Sequence, residues 1–353
     1  MTGATGFVGS AVVRSLLQRG EAVRILARPT SDLQNVAGLD VEITIGELLD
    51  ENGLIEALHD CTVLYHVAAF YSTAEADSQR MYEVNVRGTK TVLRAALRAG
   101  VQRAVHTSTI GTIGQPTEGN LTTEETPFNL WDTASHYAKS KYLAEVAALS
   151  MCKSGLPVVV VNPCAPVGSR DIQPSSTGQR ILDYLQGKMP SLVPGGINFV
   201  SVDDVAEGHV LAAEKGRVGE RYILGNRDGN LLLPDFLALM ERLSGVKRPP
   251  SAARRRWGGL ASWPILTRRR DGETSPRRRD GETSRFGQTK SGSKATRDFR
   301  PMSLTCDPSK AIRELGLPQT SLETAFSEAI AWFKEHGYLT GEVARLHIRA
   351  GGD

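Results

Sequence analysis

Strand-like and helix-like segments alternate along the first 163 residues of this 353-residue chain. Apolar strand patterns occupy residues 22–27, 41–45, 62–68, 104–108 and 157–163, and amphipathic helix patterns lie at 7–19, 81–100 and 136–149. The last strand contains four consecutive valines, which is typical of a strand covered on both faces. Strands and helices that alternate at this spacing predict an α/β fold built on a doubly wound parallel sheet.

The alternation weakens after Pro163, where Pro and Gly become frequent and short strands mix with helices. We therefore expect a dinucleotide-binding Rossmann domain over residues 1–163, to which residues 198–226 return. A smaller C-terminal α/β substrate lobe is predicted from residues 164–197, 227–250 and the helices of 301–353.

Residues 251–300 interrupt this pattern with a tandem repeat, RRRDGETS at 268–275 and again at 277–284. The segment contains 14 Lys and Arg against 5 Asp and Glu, and no periodic apolar face runs through it. It is predicted to be a disordered insertion or a misread stretch of coding sequence. The alternative is a basic arm that binds a polyanionic partner.

Charge and cysteine usage exclude several classes of protein. The net charge is +3, but residues 251–300 carry +9, which leaves −6 for the rest and argues against nucleic-acid binding. The four cysteines form no C-x-x-C pair, so no metal site is predicted. Because there is no leader pattern and no apolar run near 18 residues, we expect a cytoplasmic protein without an integral membrane segment.

The chain opens MTGATGFVGS, in which Gly3, Gly6 and Gly9 have the spacing of a turn that approaches a pyrophosphate and then starts a helix. Such a turn should follow a buried strand, but only Met1 and Thr2 precede it. The sequence thus predicts a truncated first strand and a start assigned several residues too late. A chain beginning at Met1 is expected to fold poorly and to bind its cofactor weakly.

Three further signals lie at the predicted carboxyl edge of the sheet. Thr107-Ser108-Thr109 ends one strand, and NPCAPVG follows the valine run. Tyr137 and Lys141 are four residues apart, so they share one helix face. An adjacent ammonium favours phenolate, so we expect a lowered tyrosine pKa. Such a tyrosine can exchange a proton with a carbonyl or alcohol oxygen as hydride moves at carbon.

The residues after the second strand of the pattern bear on the cofactor. Proteins of this fold that use NAD place Asp or Glu there to bind the ribose 2′-hydroxyl. Here Ala27 is followed by Arg28. A guanidinium in place of an acid favours NADP(H), with NAD(H) as the alternative.

With these motifs the chain resembles the extended short-chain dehydrogenase/reductases, the group that holds nucleotide-sugar epimerases, dehydratases and dihydroflavonol reductases. The resemblance covers residues 2–246 and 307–339, and its matching stretches are TGATGFVG, VLYHVAA, NVRGT, HTSTIGTIG, YAKSK, VNPCAPVG and FVSVDDVAEG. Within that group, RPTSD, VNPCAPVGSRDIQPSSTG, GKMP and VDDVAEGHVLA are similar to the hopanoid-associated sugar epimerases.

This resemblance implies roles for individual residues. Tyr137 would be the catalytic acid/base, and Lys141 would lower its pKa and hold the nicotinamide ribose. Thr109 would orient the substrate, with Ser108 as the neighbouring alternative. The residues implied to line the cofactor are Gly3, Thr5, Gly6, Phe7, Val8, Gly9, Arg28, Glu47, Leu48, Val67, Ala68, Ala69, Asn85, Thr107, Tyr137, Lys141, Asn162, Pro163 and Ala165.

The resemblance also implies a homodimer formed through helices at 77–99 and 135–150, and a small-molecule substrate. The leading interpretation is an NAD(P)-dependent oxidoreductase or epimerase acting on a secondary alcohol or ketone carbon of a nucleotide-activated sugar. The alternative favoured by Arg28 is an NADPH-dependent ketone reductase of the dihydroflavonol-reductase type. A third hypothesis, from another class, is a non-catalytic dinucleotide-binding scaffold. The histidines 66, 106 and 136 are interpreted as structural.

Overall fold

A parallel sheet forms the centre of the structure, a computed structural model that describes residues 1–116, 121–190, 192–248 and 303–339. Its strands are β1 (Arg24–Ala27), β2 (Glu42–Ile45), β3 (Val63–His66), β4 (Arg103–Thr107), β5 (Val158–Pro163) and β8 (Arg221–Leu224). β1 pairs with β2, and β3, β4, β5 and β8 pair in that order, all in parallel. The predicted doubly wound α/β fold is confirmed. The repeat segment 251–300 lies outside the described residues.

Met1 and Thr2 connect the two halves of this sheet. Thr2 forms parallel bridges to Leu26 of β1 and His66 of β3. The N–H of Leu26 donates to the Met1 carbonyl at 2.8 Å, and the N–H of Thr2 donates to the Tyr65 carbonyl at 3.0 Å. A cavity of about 20 Å³ lies beside them between β1 and β3. These two residues therefore stand where the central strand before the glycine turn is predicted.

Helices cover both faces of the sheet. One face carries α1 (Phe7–Gln18) and α7 (Val202–Lys215), and the other carries α2 (Glu51–Ala57), α4 (Thr89–Arg98) and α5 (His136–Ser150). The valine run of β5 contacts both layers of helices. Val159 and Val161 pack with α1 and α7, whereas Val158 and Val160 pack with α2 and α4. Alternate residues of a strand face opposite sides, so each valine is buried and contributes roughly 1.5–3 kcal/mol.

The helix predicted over 81–100 is interrupted by a different helical turn. The helical segment consists of α3 (Ser78–Met81), a π-helical stretch (Tyr82–Gly88) and then α4. A π-helical stretch shifts the following residues around the axis, and such stretches often occur at functional sites. Buried Asn85 lies within it.

A second, smaller sheet lies after Pro163 and forms the core of the predicted substrate lobe. It pairs β6 (Ala165–Val167) with β7 (Ile197–Ser201) and β7 with β9 (Asn230–Leu231). The helices α6 (Ser176–Leu185), α8 (Leu233–Ser244) and α10 (Leu322–Glu335) pack on it, and the short α9 (Ser309–Glu314) packs on β8. Because β7 belongs to this small sheet, the chain returns to the main sheet at α7, not at the predicted residue 198.

Candidate active site

The opening glycine turn packs against the loop that follows β3. Gly3 has a φ of +74°, and a Cβ atom there would lie 2.5 Å from the backbone nitrogen of Ala68. A Cβ atom on Gly9 would collide with the carbonyl oxygen of Gly3. Because these neighbours are backbone atoms, neither position can accept a side chain without moving the turn. Gly6 is less crowded, since its Cβ would lie 3.5 Å from the nearest atom.

The N-terminus of α1 follows this turn and is suited to an anion. None of the described side chains caps it, and its first turn, Phe7 and Val8 included, holds no acidic residue. Free N–H groups and the positive end of the helix dipole favour a phosphate group there. The glycine cradle and this helix end therefore fit the pyrophosphate of a dinucleotide. The carbonyl of Thr5, within the turn, accepts from Asn35 Nδ2 at 3.2 Å.

The predicted adenosine-side residues lie after β1, β2 and β3. Arg28 is exposed directly after Ala27 ends β1, and its N–H donates to Ser31 Oγ at 3.0 Å. Glu47 is exposed and Leu48 half-buried after β2. The residues after β3 are Val67, Ala68 and Ala69. An arginine, and no acidic residue, therefore directly follows the last residue of β1.

Asn85 holds the loop after β3. Its Oδ1 accepts from the Phe70 N–H at 2.7 Å, and its Nδ2 donates to the Phe70 carbonyl at 2.9 Å. The same Nδ2 reaches Ser140 Oγ on α5 at 2.9 Å. These contacts hold the loop after β3 against the helix that carries Tyr137.

Tyr137 and Lys141 lie on α5, which begins after the N-cap residue Ser135, whose side chain accepts from the Ala138 N–H. Lys141 is 2% exposed, and its Nζ donates to the Thr107 carbonyl at 2.7 Å at the end of β4. Burial lowers the pKa of Lys141 to about 8, although the carboxylate of Glu145 opposes that shift. The ammonium is therefore mostly charged at neutral pH and anchored to the sheet.

The predicted lowering of the Tyr137 pKa is wrong for this arrangement. Burial, with a smaller contribution from Tyr71, raises the pKa of Tyr137 to about 12. Within the described residues no hydrogen bond joins Tyr137 to Lys141, whose ammonium points to Thr107 instead. The ring of Tyr71 stands edge-on to that of Tyr137, with 4.9 Å between centroids. The phenol is thus held protonated at neutral pH.

Ser108 and Thr109 follow β4 and differ in their surroundings. Ser108 is buried, and its Oγ lies 3.1 Å from Thr112 Oγ1. Thr109 caps the short 3₁₀ turn Ile110–Thr112, and its Oγ1 accepts from the Gly111 N–H at 3.3 Å. Both residues thus lie directly after the carboxyl end of β4. Their catalytic roles stay a prediction.

The residues predicted near nicotinamide end β5. Asn162 is fully buried, Pro163 is the last residue of β5, and Ala165 begins β6. Asn162 Nδ2 lies 2.9 Å from Glu145 Oε2, which brings the end of β5 into contact with α5.

Sequence reasoning missed Tyr71, Thr112, Glu145 and Arg221. Glu145 had one signal, since it lies four residues after Lys141 on the buried stripe of α5. The other three lie on loops or a strand with no local pattern. Of the histidines interpreted as structural, His66 bonds Thr2 and Thr89, and burial lowers its pKa to about 3.

Two absences among the described residues bear on the site. No group of three or more His, Cys, Asp or Glu side chains in that part of the chain could hold a metal ion. None of its helices is both long and apolar enough to cross a membrane.

Comparisons with known proteins agree with this geometry. The model of the NAD dependent epimerase/dehydratase family matches residues 1–225. The chain is 36% identical over 343 residues to a putative dihydroflavonol 4-reductase of Synechocystis sp., covering 96% of this chain and 95% of that protein. It is 37% identical over 341 residues to sterol demethylase protein B of Methylococcus capsulatus, covering 96% and 99%.

A solved structure shows the same fold. It is the dTDP-glucose 4,6-dehydratase DesIV of Streptomyces venezuelae with NAD and TYD bound, with a TM-score of 0.72 and 23% identity. The match covers 97% of this chain and 98% of that one. At that identity the likeness extends to the fold alone.

Proposed function

The chain belongs to the NAD dependent epimerase/dehydratase family, and on that premise we propose that it is an NADP(H)-dependent reductase of a ketone carbon on an apolar, ring-bearing substrate. The family and its relatives are enzymes of the extended short-chain dehydrogenase/reductase type, so the chain is an enzyme that uses a nicotinamide dinucleotide. The direction of the reaction, the choice of dinucleotide and the substrate are the proposal.

The observation that carries it is the position of Tyr137 and Lys141 on one face of α5, against the end of β4. The bound dinucleotide would supply the hydride. Tyr137, whose raised pKa keeps its phenol protonated, donates the proton to the substrate oxygen. Lys141 holds the ribose through its ammonium, and Thr109 or Ser108 orients the oxygen. A protonated phenol suits reduction, because the carbonyl oxygen must gain a proton.

The choice of NADP(H) rests on Arg28. Its exposed guanidinium stands at the end of β1, where a 2′-phosphate would lie. The planar guanidinium can donate two hydrogen bonds to phosphate oxygens.

The substrate class rests on Tyr71 and on the relatives. Tyr71 is 54% exposed, and its ring contacts that of Tyr137, so an apolar ring can pack on it beside the proton donor. The names of the two curated relatives refer to a dihydroflavonol and a sterol, both ring systems. The nucleotide-sugar interpretation stays a prediction, because the 23% identity to the dehydratase supports only the fold.

A homodimer remains part of the proposal. Val146, on one of the two helices predicted to form the dimer, is 48% exposed and so is available for an interface. The cytoplasmic location remains a prediction, whereas the non-catalytic scaffold hypothesis is set aside because the family and its relatives are enzymes.

The test begins with the nucleotide that the purified protein releases on denaturation. We expect little bound nucleotide, and a kcat/KM with NADPH at least about tenfold above that with NADH on a dihydroflavonol and a steroid ketone. Arg28→Ala should bring the kcat/KM with NADPH closer to that with NADH. Arg87 is another exposed arginine, and Arg87→Ala should leave the ratio of the two values unchanged. Near-stoichiometric release of NAD would contradict the proposal and favour an epimerase that retains its cofactor.

A further inference from the structure

Glu145 is a buried carboxylate to which the proposed reaction gives no role. It lies on α5 one turn after Lys141 and is 1% exposed. Its oxygens lie within hydrogen-bond distance of three donors: Thr112 Oγ1 at 2.7 Å, Asn162 Nδ2 at 2.9 Å and Arg221 Nη1 at 3.1 Å. These donors come from the turn after β4, the end of β5 and the start of β8. A buried charge needs such partners, because desolvation costs several kcal/mol.

Arg221 binds Oε1 of Glu145, whereas Asn162 and Thr112 bind Oε2. Its Nε donates to the Glu124 carbonyl at 2.7 Å, and its Nη2 donates to the Thr126 carbonyl at 3.1 Å. Each of the three guanidinium nitrogens therefore has an acceptor. Since both charges are anchored on several sides, the carboxylate has one well-defined position.

The carboxylate determines which way the Asn162 amide is turned together with the Thr109 carbonyl, which lies 3.2 Å from Asn162 Nδ2. A carboxylate can only accept hydrogen bonds, so the amide must direct its NH₂ group towards Glu145. Asn162 Oδ1 is then left as an acceptor, and within the described part of the chain it has no partner although it is buried. An acceptor that is buried and unpaired at a site residue is costly unless a ligand group completes it.

The same carboxylate orders the hydroxyls at the end of β4. Thr112 Oγ1 has one proton and two acceptors at 2.7 Å, the Thr109 carbonyl and Glu145 Oε2. The charged acceptor makes the stronger bond. Ser108 Oγ, 3.1 Å from Thr112 Oγ1, can then donate to it and keep its own lone pairs for a ligand.

We propose that Glu145 is a positioning residue, which fixes the hydrogen-bonding direction of Ser108 and, together with the Thr109 carbonyl, that of Asn162, and which provides a counter-charge one helix turn from Lys141. The turnover part of its test rests on the proposed function, but the cofactor-binding part does not. The charge of Glu145 opposes the burial that lowers the Lys141 pKa to about 8.

The test compares Glu145→Gln, which keeps the shape and removes the charge, with Glu124→Gln. Glu124 is also buried, but its carboxylate accepts from the Ile223 N–H at 2.8 Å and not from Thr112 or Asn162. A thermal melt establishes folding. The two readouts are the affinity for NADPH from pH 6 to 9 and the kcat and KM for a steroid ketone.

The other groups facing Lys141 do not titrate in that range. Burial lowers the pKa of His66 to about 3 and that of His106 well below 6.5, and it raises the pKa of Tyr137 to about 12. A change of NADPH affinity near pH 8 thus reports on Lys141.

For Glu145→Gln we expect the pH at which NADPH affinity falls to move down by about one unit, because a lost neighbouring anion favours neutral lysine. We also expect kcat to fall about 10- to 100-fold at a KM within about threefold, since misplaced groups slow the chemical step. Glu145→Asp keeps the charge on a shorter side chain. It should therefore restore the wild-type midpoint, which is the pH at which NADPH affinity has fallen by half, and leave kcat low. Glu124→Gln should stay within about threefold of the wild type in both readouts.

Thr112→Val provides a second variant if Glu145→Gln does not fold. It removes only the hydroxyl between Glu145 and Ser108, and it should lower kcat without moving the pH midpoint. A folded Glu145→Gln with an unchanged kcat and an unchanged midpoint would overturn the proposal. If the wild type does not reduce the ketone with NADPH, the proposed function fails for that substrate, and the pH midpoint alone decides the role of Glu145.

Discussion

Replacing Gly9 by alanine tests the steric basis of the glycine turn. A Cβ atom at this position would collide with the Gly3 carbonyl oxygen and lie 2.7 Å from the Gly3 carbonyl carbon and 3.0 Å from Ala4 Cα. All three are backbone atoms of a turn that is itself packed on Ala68. The turn or the start of α1 must therefore shift for the variant to fold.

The size of the effect follows from two opposing contributions. Alanine in a helix interior is favoured over glycine by about 1 kcal/mol. Overpacking costs typically 1–3 kcal/mol, and more where backbone must move. With three backbone atoms within 3.0 Å we expect a net loss of about 2 kcal/mol. At about 2.1 cal/mol/K of unfolding entropy per residue, that loss lowers the Tm of a chain of 353 residues by about 3 °C.

The matched control is Gly6→Ala in the same turn, because its Cβ would meet its nearest atom at 3.5 Å. We expect Gly6→Ala to melt near the wild-type Tm and to lose dinucleotide affinity, since Gly6 faces the pyrophosphate in the proposed binding mode. Gly9→Ala should lower both the Tm and the dinucleotide affinity. Differential scanning fluorimetry and an NADPH fluorescence titration measure the two quantities. A Gly9→Ala protein with wild-type Tm and affinity would refute the steric argument.

Three further predictions concern single side chains. Tyr137→Phe should lower ketone turnover in steady-state kinetics by about 10²- to 10⁴-fold. In a fluorescence titration it should change the NADPH Kd by less than about threefold. Substantial residual turnover would exclude Tyr137 as the proton donor. Asn85→Ala should cost about 1–3 kcal/mol in urea unfolding, because the buried amide pairs with both polar backbone groups of Phe70. Burial lowers the pKa of His209 from 6.5 to about 4. As the pH falls, this histidine is therefore protonated in the unfolded chain before it is protonated in the folded protein. The stability from neutral His209 is present above pH 6.5 and falls by about 2 kcal/mol between pH 7 and pH 5. His209→Gln should flatten this acid dependence of the unfolding free energy, and an unchanged slope would contradict the assignment.

Much of the fold could be predicted because it is encoded locally. The main-sheet strands β1 to β5 lie within a few residues of the predicted ranges. Continuous apolar runs indicate a strand buried on both faces, and alternation indicates a strand buried on one face. The π-helical stretch at Tyr82–Gly88 had no such signal, because it keeps the apolar spacing of an ordinary helix. The pairing of β7 within the small sheet had no local signal, because a short buried strand does not reveal which neighbour it pairs with.

The candidate site, like the fold, could be predicted from the sequence only in part. Gly3 and Gly9 were predicted from spacing, because only glycine permits such a close backbone approach. The spacing of Tyr137 and Lys141 predicted a shared helix face, but it could not predict that Lys141 donates to Thr107 and that burial raises the Tyr137 pKa.

The sequence by itself determined the order of strands and helices, the glycine turn and the residue types at the carboxyl edge of the sheet. Only the tertiary structure decided which partners those side chains have. Glu145 meets Thr112, Asn162 and Arg221 across 33, 17 and 76 residues of chain. Cys164 and Cys306, 142 residues apart, bring their Sγ atoms to 3.3 Å. Periodicity records which face of an element is buried, whereas hydrogen bonds and desolvation depend on how distant elements pack.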